Sequence, residues 1–203
     1  MDTTAKRAMA VVLAGGLAVS HQAVATADSP TMTVLVLNHA GIPREVLTEA
    51  QAVASRIYAA AGVTIVWTEP ASVPRPSSAF RLTMTILPMA SFSGRSRSAA
   101  VMGTAPGVNG SAPAKLAYAF YDRVEEFARE RGLDTATTVG YVMAHEIGHL
   151  LLGRHSHSRA GLMRAVWGQG EVLGMAAGVL AFNESEARVV RMNARAPLEH
   201  ASK

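Results

Sequence analysis

Residues 145 to 163 read HEIGHLLLGRHSHSRAGLM, and this window holds four of the seven histidines in the 203-residue chain. His145 and His149 are four residues apart, so on a helix their side chains project from one face on successive turns. Both can then point a ring nitrogen at the same ion, with Glu146 beside the first of them. The surrounding residues are apolar, which indicates a buried helix where these polar groups need partners. The stretch therefore predicts a metal site on a buried helix.

The chain has no cysteine, so its metal ligands must come from His, Asp or Glu. Catalytic zinc sites commonly use three protein ligands and leave a fourth position to water, whose acidity the metal increases. Glu146 is then placed to act as general base rather than as a ligand. The same five-residue pattern also occurs in ordinary amphipathic helices, where His145 and His149 would be core or solvated side chains. Gly153 and the histidines that follow it favour the metal site.

The window resembles the extended zinc signature of the metzincin metallopeptidases, HExxHxxGxxH followed by a Met-turn. His145, Glu146 and His149 match this signature residue by residue, and His155 falls at the position of the third ligand. The segment Gly161-Leu162-Met163 resembles the Met-turn, whose methionine lies beneath the metal in that family. The resemblance implies a zinc-dependent endopeptidase, with zinc as its cofactor and a peptide or protein as its substrate.

The chain departs from this signature at the glycine. The family glycine stands three residues after the second histidine, where this chain has Leu152, and the glycine follows one position later at Gly153. A helix that runs one residue longer displaces the returning loop, so that His157 reaches the metal in place of His155. The spacing to Met163 favours His155, whereas the shifted glycine leaves His157 open. The third ligand is therefore either His155 or His157.

The N-terminus has the three parts of a secretory signal. The basic pair Lys6-Arg7 precedes an apolar run at residues 8–19, and Ala25-Thr26-Ala27 forms a small-x-small cleavage site. We expect residues 1–27 to be a signal peptide and residues 28–203 to be exported, to a periplasmic or extracellular location. The alternative is an uncleaved anchor, but the apolar run is short and contains two glycines.

The remaining sequence has the composition of one domain with a mild positive charge. The net charge is +4 for the whole chain and +3 for the chain without residues 1–27, because the signal peptide contains Lys6 and Arg7 but only one acidic residue, Asp2. No run of Lys or Arg interleaved with aromatic residues follows, which argues against a nucleic-acid partner. No later stretch resembles a membrane span. We expect residues 28–203 to form a single metallopeptidase domain, a monomer by default, with a frayed tail at 195–203.

Strand and helix patterns alternate along this domain. β-branched and apolar runs predict strands, and apolar residues that recur at three and four predict helices. The predicted strands are 31–38, 63–68, 80–87 and 115–122. The predicted helices are 44–61, a helix capped by Asp134 or Thr135 that runs to about Leu152, and 184–193 with Asn183 as its N-cap, while 123–132 is helix or turn. Residues 89–113 read as a long loop with a short element at 99–102. This order predicts an α/β (α+β) fold, a mixed sheet with an active-site helix and a C-terminal helix, as in a metzincin-like zinc peptidase domain.

Other side chains near the window have open roles. Three tyrosines could each supply a hydroxyl to an oxyanion, and nothing in the sequence selects among them: Tyr118, Tyr121 and Tyr141. Three arginines could favour acidic substrate groups or form a solvated rim: Arg154, Arg159 and Arg164. The leading prediction is a secreted zinc metallopeptidase with Glu146 as base. The alternatives are a secreted zinc-binding module without peptidase activity and a hydrolase of non-peptide amides.

Overall fold

The structure is a computed structural model, and it describes residues 29–70, 81–91, 101–106, 115–153 and 156–195. Some predictions from the sequence lie outside these residues. They concern the signal peptide, residues 99–100 of the short element, Arg154, the third-ligand candidate His155 and the tail after Arg195.

Five strands of the described residues form one mixed sheet. They are β1 (Thr31–Asn38), β2 (Thr64–Thr68), β3 (Arg81–Leu87), β4 (Gly103–Thr104) and β5 (Leu116–Phe120). Their order across the sheet is β2-β1-β3-β5-β4. The first four strands in this order are parallel to one another, and β4 at the edge runs antiparallel to β5. The predicted α/β class with a mixed sheet is therefore confirmed.

The central strands are apolar where they pack into the core. Along β1 every second residue is buried, namely Met32, Val34 and Val36. The residues that lie between and just after them in the strand are half-buried. On the neighbouring β3, Met84 and Ile86 are fully buried. This period of two is the pattern that the pleat of a strand imposes on a sheet with a covered face.

In the part of the chain that the structure describes, five α-helices accompany the sheet. They are α1 (Arg44–Ala60), α2 (Tyr121–Arg131), α3 (Thr135–Leu152), α4 (Gln169–Ala176) and α5 (Glu184–Arg195). α3 is the central one, in contact with α1, α2, α5 and β5. At Gly140 of α3, a Cβ would lie 2.6 Å from the carbonyl oxygen of Ala50 in α1. The two helices therefore approach more closely than any side chain at position 140 would allow.

α3 begins and ends at sequence signals that predict its bounds correctly. Asp134 is the N-cap, and its carboxylate accepts a hydrogen bond from the backbone N–H of Thr137 at 2.6 Å. The helix ends at Leu152, and Gly153 follows with a φ of 91°. Because L side chains rarely adopt that φ, the glycine permits the sharp turn that returns the chain toward the helix.

Two boundaries in the first half of the chain differ from the predictions. β5 ends at Phe120, and Tyr121 and Asp122 belong to α2 rather than to the strand, because buried Val124 and Ala128 give this segment one apolar helical face. The short element predicted at 99–102 lies half outside the described residues. Its residues 101–102 are irregular, and β4, which pairs with β5, begins just after them.

Two differences occur in the second half. The Gly-rich segment after Trp167 had no predicted element, but α4 forms there, because Glu171 accepts a hydrogen bond from the backbone N–H of Gly168 and Met175 is buried. At the start of α5, the side-chain oxygen of Asn183 accepts a hydrogen bond from the backbone N–H of Glu186, and the helix runs to Arg195, the first residue assigned to the tail. Within the described part of the chain, no helix combines the length and apolarity that a bilayer span requires.

Candidate metal centre

α3 carries three of the predicted site residues on successive turns. His145 and Glu146 are buried, and His149 is half-buried. After the turn at Gly153 the chain comes back, so that the exposed His157 lies beside the two histidines of the helix. One ring nitrogen from each of the three histidines lies within 4.8 Å of the other two. The fold thus brings three imidazoles together next to Glu146.

His157 is one of the two residues between which the sequence left the third ligand open. Its ring centroid is 5.5 Å from that of His145 and 4.7 Å from that of His149. This position agrees with a helix that continues to Leu152, one residue beyond the family pattern. His155 lies outside the described residues, so the choice between the two stays a prediction.

Hydrogen bonds to Nδ1 orient the two helix imidazoles. Nδ1 of His145 lies 2.7 Å from the carbonyl oxygen of Leu162, and a carbonyl can only accept, so this nitrogen carries the proton. Nδ1 of His149 lies 2.9 Å from the hydroxyl of Ser156. Both Nε2 atoms are thereby left to face each other across 3.1 Å. Outer partners of this kind fix the tautomer and the ring orientation of metal-binding histidines.

The donor set fits a zinc ion. Zinc binds imidazole nitrogen at about 2.0–2.1 Å, so two such nitrogens in a tetrahedral site are about 3.3 Å apart. The separation of 3.1 Å between Nε2 of His145 and Nε2 of His149 is close to that value. Three imidazoles leave a fourth position open, which is the arrangement of catalytic rather than structural zinc sites.

Burial keeps both helix imidazoles neutral. It lowers the pKa of His145 to about 4, although the hydrogen bond to Leu162 acts in the opposite direction. Burial, followed by the neighbouring rings of His145 and His157, lowers the pKa of His149 to about 3. Since neutral imidazole is the form that binds metal, both residues are in the binding form at neutral pH.

Glu146 carries a carboxylate oxygen without a partner. Among the described residues, two buried side-chain polar atoms have no hydrogen-bond partner, Oε2 of Glu146 and Nε of Arg123. Burial raises the pKa of Glu146 to about 8. A cation close to the carboxyl group favours its ionised form. With a metal ion in the site, Glu146 would therefore be held in its ionised form, which is the form that can accept a proton.

The segment that resembles a Met-turn packs against α3. Met163 is fully buried, and a Cβ on Gly148 would lie 2.7 Å from its sulfur atom. Gly148 stands between the two helix histidines in sequence, so the absence of a side chain there lets Met163 reach the helix at the level of the site. The preceding residue, Leu162, provides the carbonyl that holds His145.

Glu171 of α4 holds this segment in place. Its carboxylate accepts hydrogen bonds from the backbone N–H of Gly168 at 2.9 Å, from that of Gly161 at 3.3 Å, and from Nη1 of Arg164 at 2.8 Å. Burial alone would raise the pKa of Glu171, but these three donors outweigh burial and lower it. An ionised carboxylate thus joins both ends of the segment to α4.

A pocket of about 320 Å³ opens beside His145 and Glu146. Six of its other lining residues are apolar and five are charged: Met102, Phe127, Val142, Ala165, Val166, Trp167, Arg123, Arg131, Arg164, Glu126 and Glu130. The Trp167 ring lies 5.5 Å from that of His145, and its Nε1 donates to the carbonyl of Leu162 at 3.0 Å. A substrate side chain in this pocket would lie next to the proposed base and a proposed ligand.

The candidate tyrosines and arginines, whose roles the sequence leaves open, differ in their position relative to the pocket. None of the three candidate tyrosines lines the pocket. Burial raises the pKa of Tyr141, and burial together with Glu125 raises that of Tyr121 to about 12. Of the three arginines, Arg164 lines the pocket, Arg159 is exposed, and Arg154 lies outside the described residues.

Three residues of this site were not predicted from the sequence: Arg123, Gly103 and Trp167. Arg123 lies on a helix that was read only as helix or turn. Gly103 lies in the long loop, where no periodic pattern marks a two-residue strand. Trp167 follows the window by four residues, and a tryptophan so close to a proposed metal site is a signal that could have selected it as a pocket wall.

Comparisons with known proteins give similarity of structure alone. No protein-family model and no curated protein matches the chain. A zinc-dependent peptidase from Methanocorpusculum labreanum is similar over 77% of this chain and 98% of its own, at 12% identity and a TM-score of 0.48. An archaemetzincin from Methanopyrus kandleri is similar over 82% and 97%, at 14% identity and a TM-score of 0.45. At these identities and TM-scores, the similarity carries no argument about function. The function of this chain has to be inferred from its own side chains.

Proposed function

We propose that this protein is a zinc-dependent endopeptidase whose metal is held by His145, His149 and His157. One observation carries the proposal: three imidazoles converge beside a buried carboxylate, that of Glu146, which has an oxygen without a partner. The resemblance of the window to the metzincin signature supports the same reaction. The end of α3 at Leu152 supports His157 over His155 as the third ligand.

Each residue of the site has a defined part in the hydrolysis. A zinc ion held by His145, His149 and His157 would supply Lewis-acid chemistry, which polarises a carbonyl and makes water more acidic. Glu146 accepts a proton from the attacking water at Oε2, and the water oxygen adds to the carbonyl carbon. Glu146 then gives the proton to the leaving amine as the C–N bond breaks. The Leu162 carbonyl and the Ser156 hydroxyl keep the two helix imidazoles oriented meanwhile.

The edge strand β4 offers a place for the substrate backbone. β4 is the last strand in the sheet order, and Gly103 on it touches the Glu146 side chain. An extended peptide that adds to such an edge forms backbone hydrogen bonds with it. A peptide held in this way would pass beside the proposed base.

Two further parts of the proposal come from the sequence patterns. We propose that residues 1–27 direct export of the protein, because they combine a basic start, an apolar run and a small-residue cleavage site. We also propose that Met163 is the methionine of a Met-turn. Its complete burial against Gly148 supports this assignment.

The test compares the purified, zinc-loaded protein with its Glu146→Ala variant on an unstructured protein substrate. We expect the wild type to cleave the substrate and the variant to lose most of that activity, while both bind one equivalent of zinc. Cleavage of equal rate by both proteins would exclude Glu146 as the base. Zinc binding by both without any cleavage would favour a binding module or a non-peptide amide substrate.

A further inference from the structure

We propose that Glu186 of α5 positions the third ligand of the metal site and that it acts through the hydroxyl of Ser158. This role rests on the zinc site of the proposed function, with His157 as its third ligand. The Ser158 hydroxyl donates a hydrogen bond to Oε1 of Glu186, which lies 28 residues further along the chain. Ser158 directly follows His157 in the sequence. A carboxylate of the C-terminal helix thus holds the residue next to a proposed ligand.

Glu186 is buried at the start of α5, where its carboxylate is fixed. Its second oxygen, Oε2, accepts a hydrogen bond from the backbone N–H of Asn183 at 2.9 Å, and the side-chain oxygen of Asn183 accepts one from the backbone N–H of Glu186 at 2.9 Å. This reciprocal arrangement is a capping box, which satisfies N–H groups that a helix leaves free at its start. Because both carboxylate oxygens have donors, the acceptor that Ser158 binds is held in place.

α5 is itself attached to the helices that surround the site. Val190 is fully buried in the core. Nε of Arg191 donates to the carbonyl of Ala61, at the C-terminal end of α1, at 3.0 Å. Nδ2 of Asn193 donates to the carbonyl of Leu151 at 2.7 Å, in the last turn of α3, where carbonyls have no partner within the helix. A residue that α5 holds is therefore placed relative to the same helix that carries the other two histidines.

The backbone at Ser158 connects this bond to the direction of His157. The N–H of Ser158 donates to the carbonyl of Met163 at 2.8 Å, and the residue takes part in a β-bridge. In extended backbone, successive side chains point to opposite sides. With Ser158 directed toward α5, the ring of His157 is directed toward the helix histidines, 5.5 Å from that of His145. Since His157 is exposed, packing fixes its position less than it fixes buried His145.

The bond between Ser158 and Glu186 affects metal affinity through the population of molecules that are ready to bind. Zinc binds with full affinity only when His157 already lies beside the helix histidines. If that arrangement is present in a fraction of the molecules, the apparent Kd rises by the inverse of the fraction. Outer partners of metal ligands contribute about 10- to 100-fold to metal affinity. We therefore expect zinc binding to depend on Glu186 although it is not a ligand.

The first test measures zinc affinity by competition with a fluorescent chelator. Ser158→Ala removes the hydroxyl and leaves the capping box of α5 intact, and it should weaken zinc binding by about tenfold. Ser158→Thr keeps a hydroxyl and should bind zinc as tightly as the wild type. The matched control is Ser55→Ala in α1, which removes another half-buried hydroxyl, the acceptor of Nε1 of Trp67 at 2.8 Å. It should leave zinc affinity unchanged.

The second test removes the acceptor. Glu186→Ala should weaken zinc binding at least as much as Ser158→Ala. Glu184→Ala removes the same charge from the same turn of α5, at a side chain that is 94% exposed, and it should have no effect on zinc affinity. Because Ser158 and Glu186 act through one bond, the double variant should bind zinc no more weakly than Glu186→Ala. Losses that add in the double variant would overturn the assigned route through Ser158.

A third test separates positioning of the ligand from a general loss of stability. Ser158→Ala is combined with His157→Ala, which leaves the two helix histidines to bind zinc. If the hydroxyl acts by placing His157, its removal should weaken zinc binding no further once that ring is gone. A protein that is only less stable would lose the same affinity in both backgrounds, and that result would overturn the positioning role.

Zinc affinity also separates this role from the peptidase function, because no substrate is cleaved in the measurement. If His157→Ala binds zinc as the wild type does, the ligand assignment is wrong and the role of Glu186 falls with it. If His157→Ala weakens zinc binding but Ser158→Ala does not, the role of Glu186 alone is overturned. The expected losses of affinity in a protein that cleaves no peptide would confirm the role and count against the peptidase function.

Discussion

Gly103 of the edge strand packs directly against the side chain of Glu146, the proposed base. A Cβ on Gly103 would lie 2.6 Å from Cγ and 2.7 Å from Oε1 of Glu146, and also 2.7 Å from the backbone oxygen of Tyr118. These distances are below van der Waals contact, so no other residue fits without displacing the strand or the carboxylate. The position of Glu146 therefore depends on the presence of a glycine, which has no side chain, in β4.

We expect Gly103→Ala to reduce kcat strongly while zinc binding stays intact. The added methyl group pushes Glu146 from its place, and a misplacement of about 1 Å can cost about 10²-fold in rate. Zinc content and steady-state rates are measured on the same sample. The matched control is Gly170→Ala on α4, where no atom lies within 4 Å of the new Cβ. Full activity in Gly103→Ala would show that the contact does not position the base.

Glu146→Gln tests the base with little change of shape. Gln cannot accept the proton of water, so turnover should fall by about 10²- to 10⁴-fold, the usual contribution of a general base. The three histidines are untouched, and zinc should remain stoichiometric by elemental analysis. A variant that loses zinc together with activity would instead indicate that Glu146 is a ligand.

The two candidate third ligands give opposite results when they are replaced. His157→Ala should weaken zinc binding by more than about 100-fold, because even the loss of an outer partner of a ligand costs about 10- to 100-fold. His155→Ala should bind zinc as the wild type does. Competition with a fluorescent chelator measures both. The reverse pattern would assign the site to His155 and place the ligands at the family spacing.

Glu171 makes stability depend on pH at the acid end. Its pKa in the folded protein is lowered, so the ionised carboxylate contributes stability above the unfolded value of about 4.3, and this contribution is lost as the pH falls through the folded pKa. Glu171→Gln should therefore lower Tm at pH 7 by about 2–4 °C, for a loss of about 1 kcal/mol, and by less at pH 3. Thermal melts at both pH values check this. A difference that grows on acidification would contradict the assigned direction.

The sequence predicts those parts of the site that depend on local spacing. His145, Glu146 and His149 lie on one helix, where the positions i and i+4 share a face, and α3 has an N-cap and a glycine stop that can be read directly. The strands β1, β2 and β3 and the helices α1 and α5 follow from hydrophobic periodicity in the same way. These elements lie close to their predicted bounds.

The parts that the sequence does not predict depend on contacts between distant elements. β4 has two residues, too few for a period of two to be visible, and it exists because β5 offers a pairing edge. α4 contains two glycines, which disfavour a helix, and it is held by Glu171 and by burial of Met175. Arg123 enters the site only because α2 packs beside α3.

The carbonyl oxygen of Leu162 accepts two hydrogen bonds, one from Nδ1 of His145 at 2.7 Å and one from Nε1 of Trp167 at 3.0 Å. The first donor is a proposed metal ligand and the second is a wall of the pocket. One backbone oxygen thus ties the orientation of a proposed ligand to the position of a pocket residue. A shift of Leu162 would disturb the imidazole and the indole together.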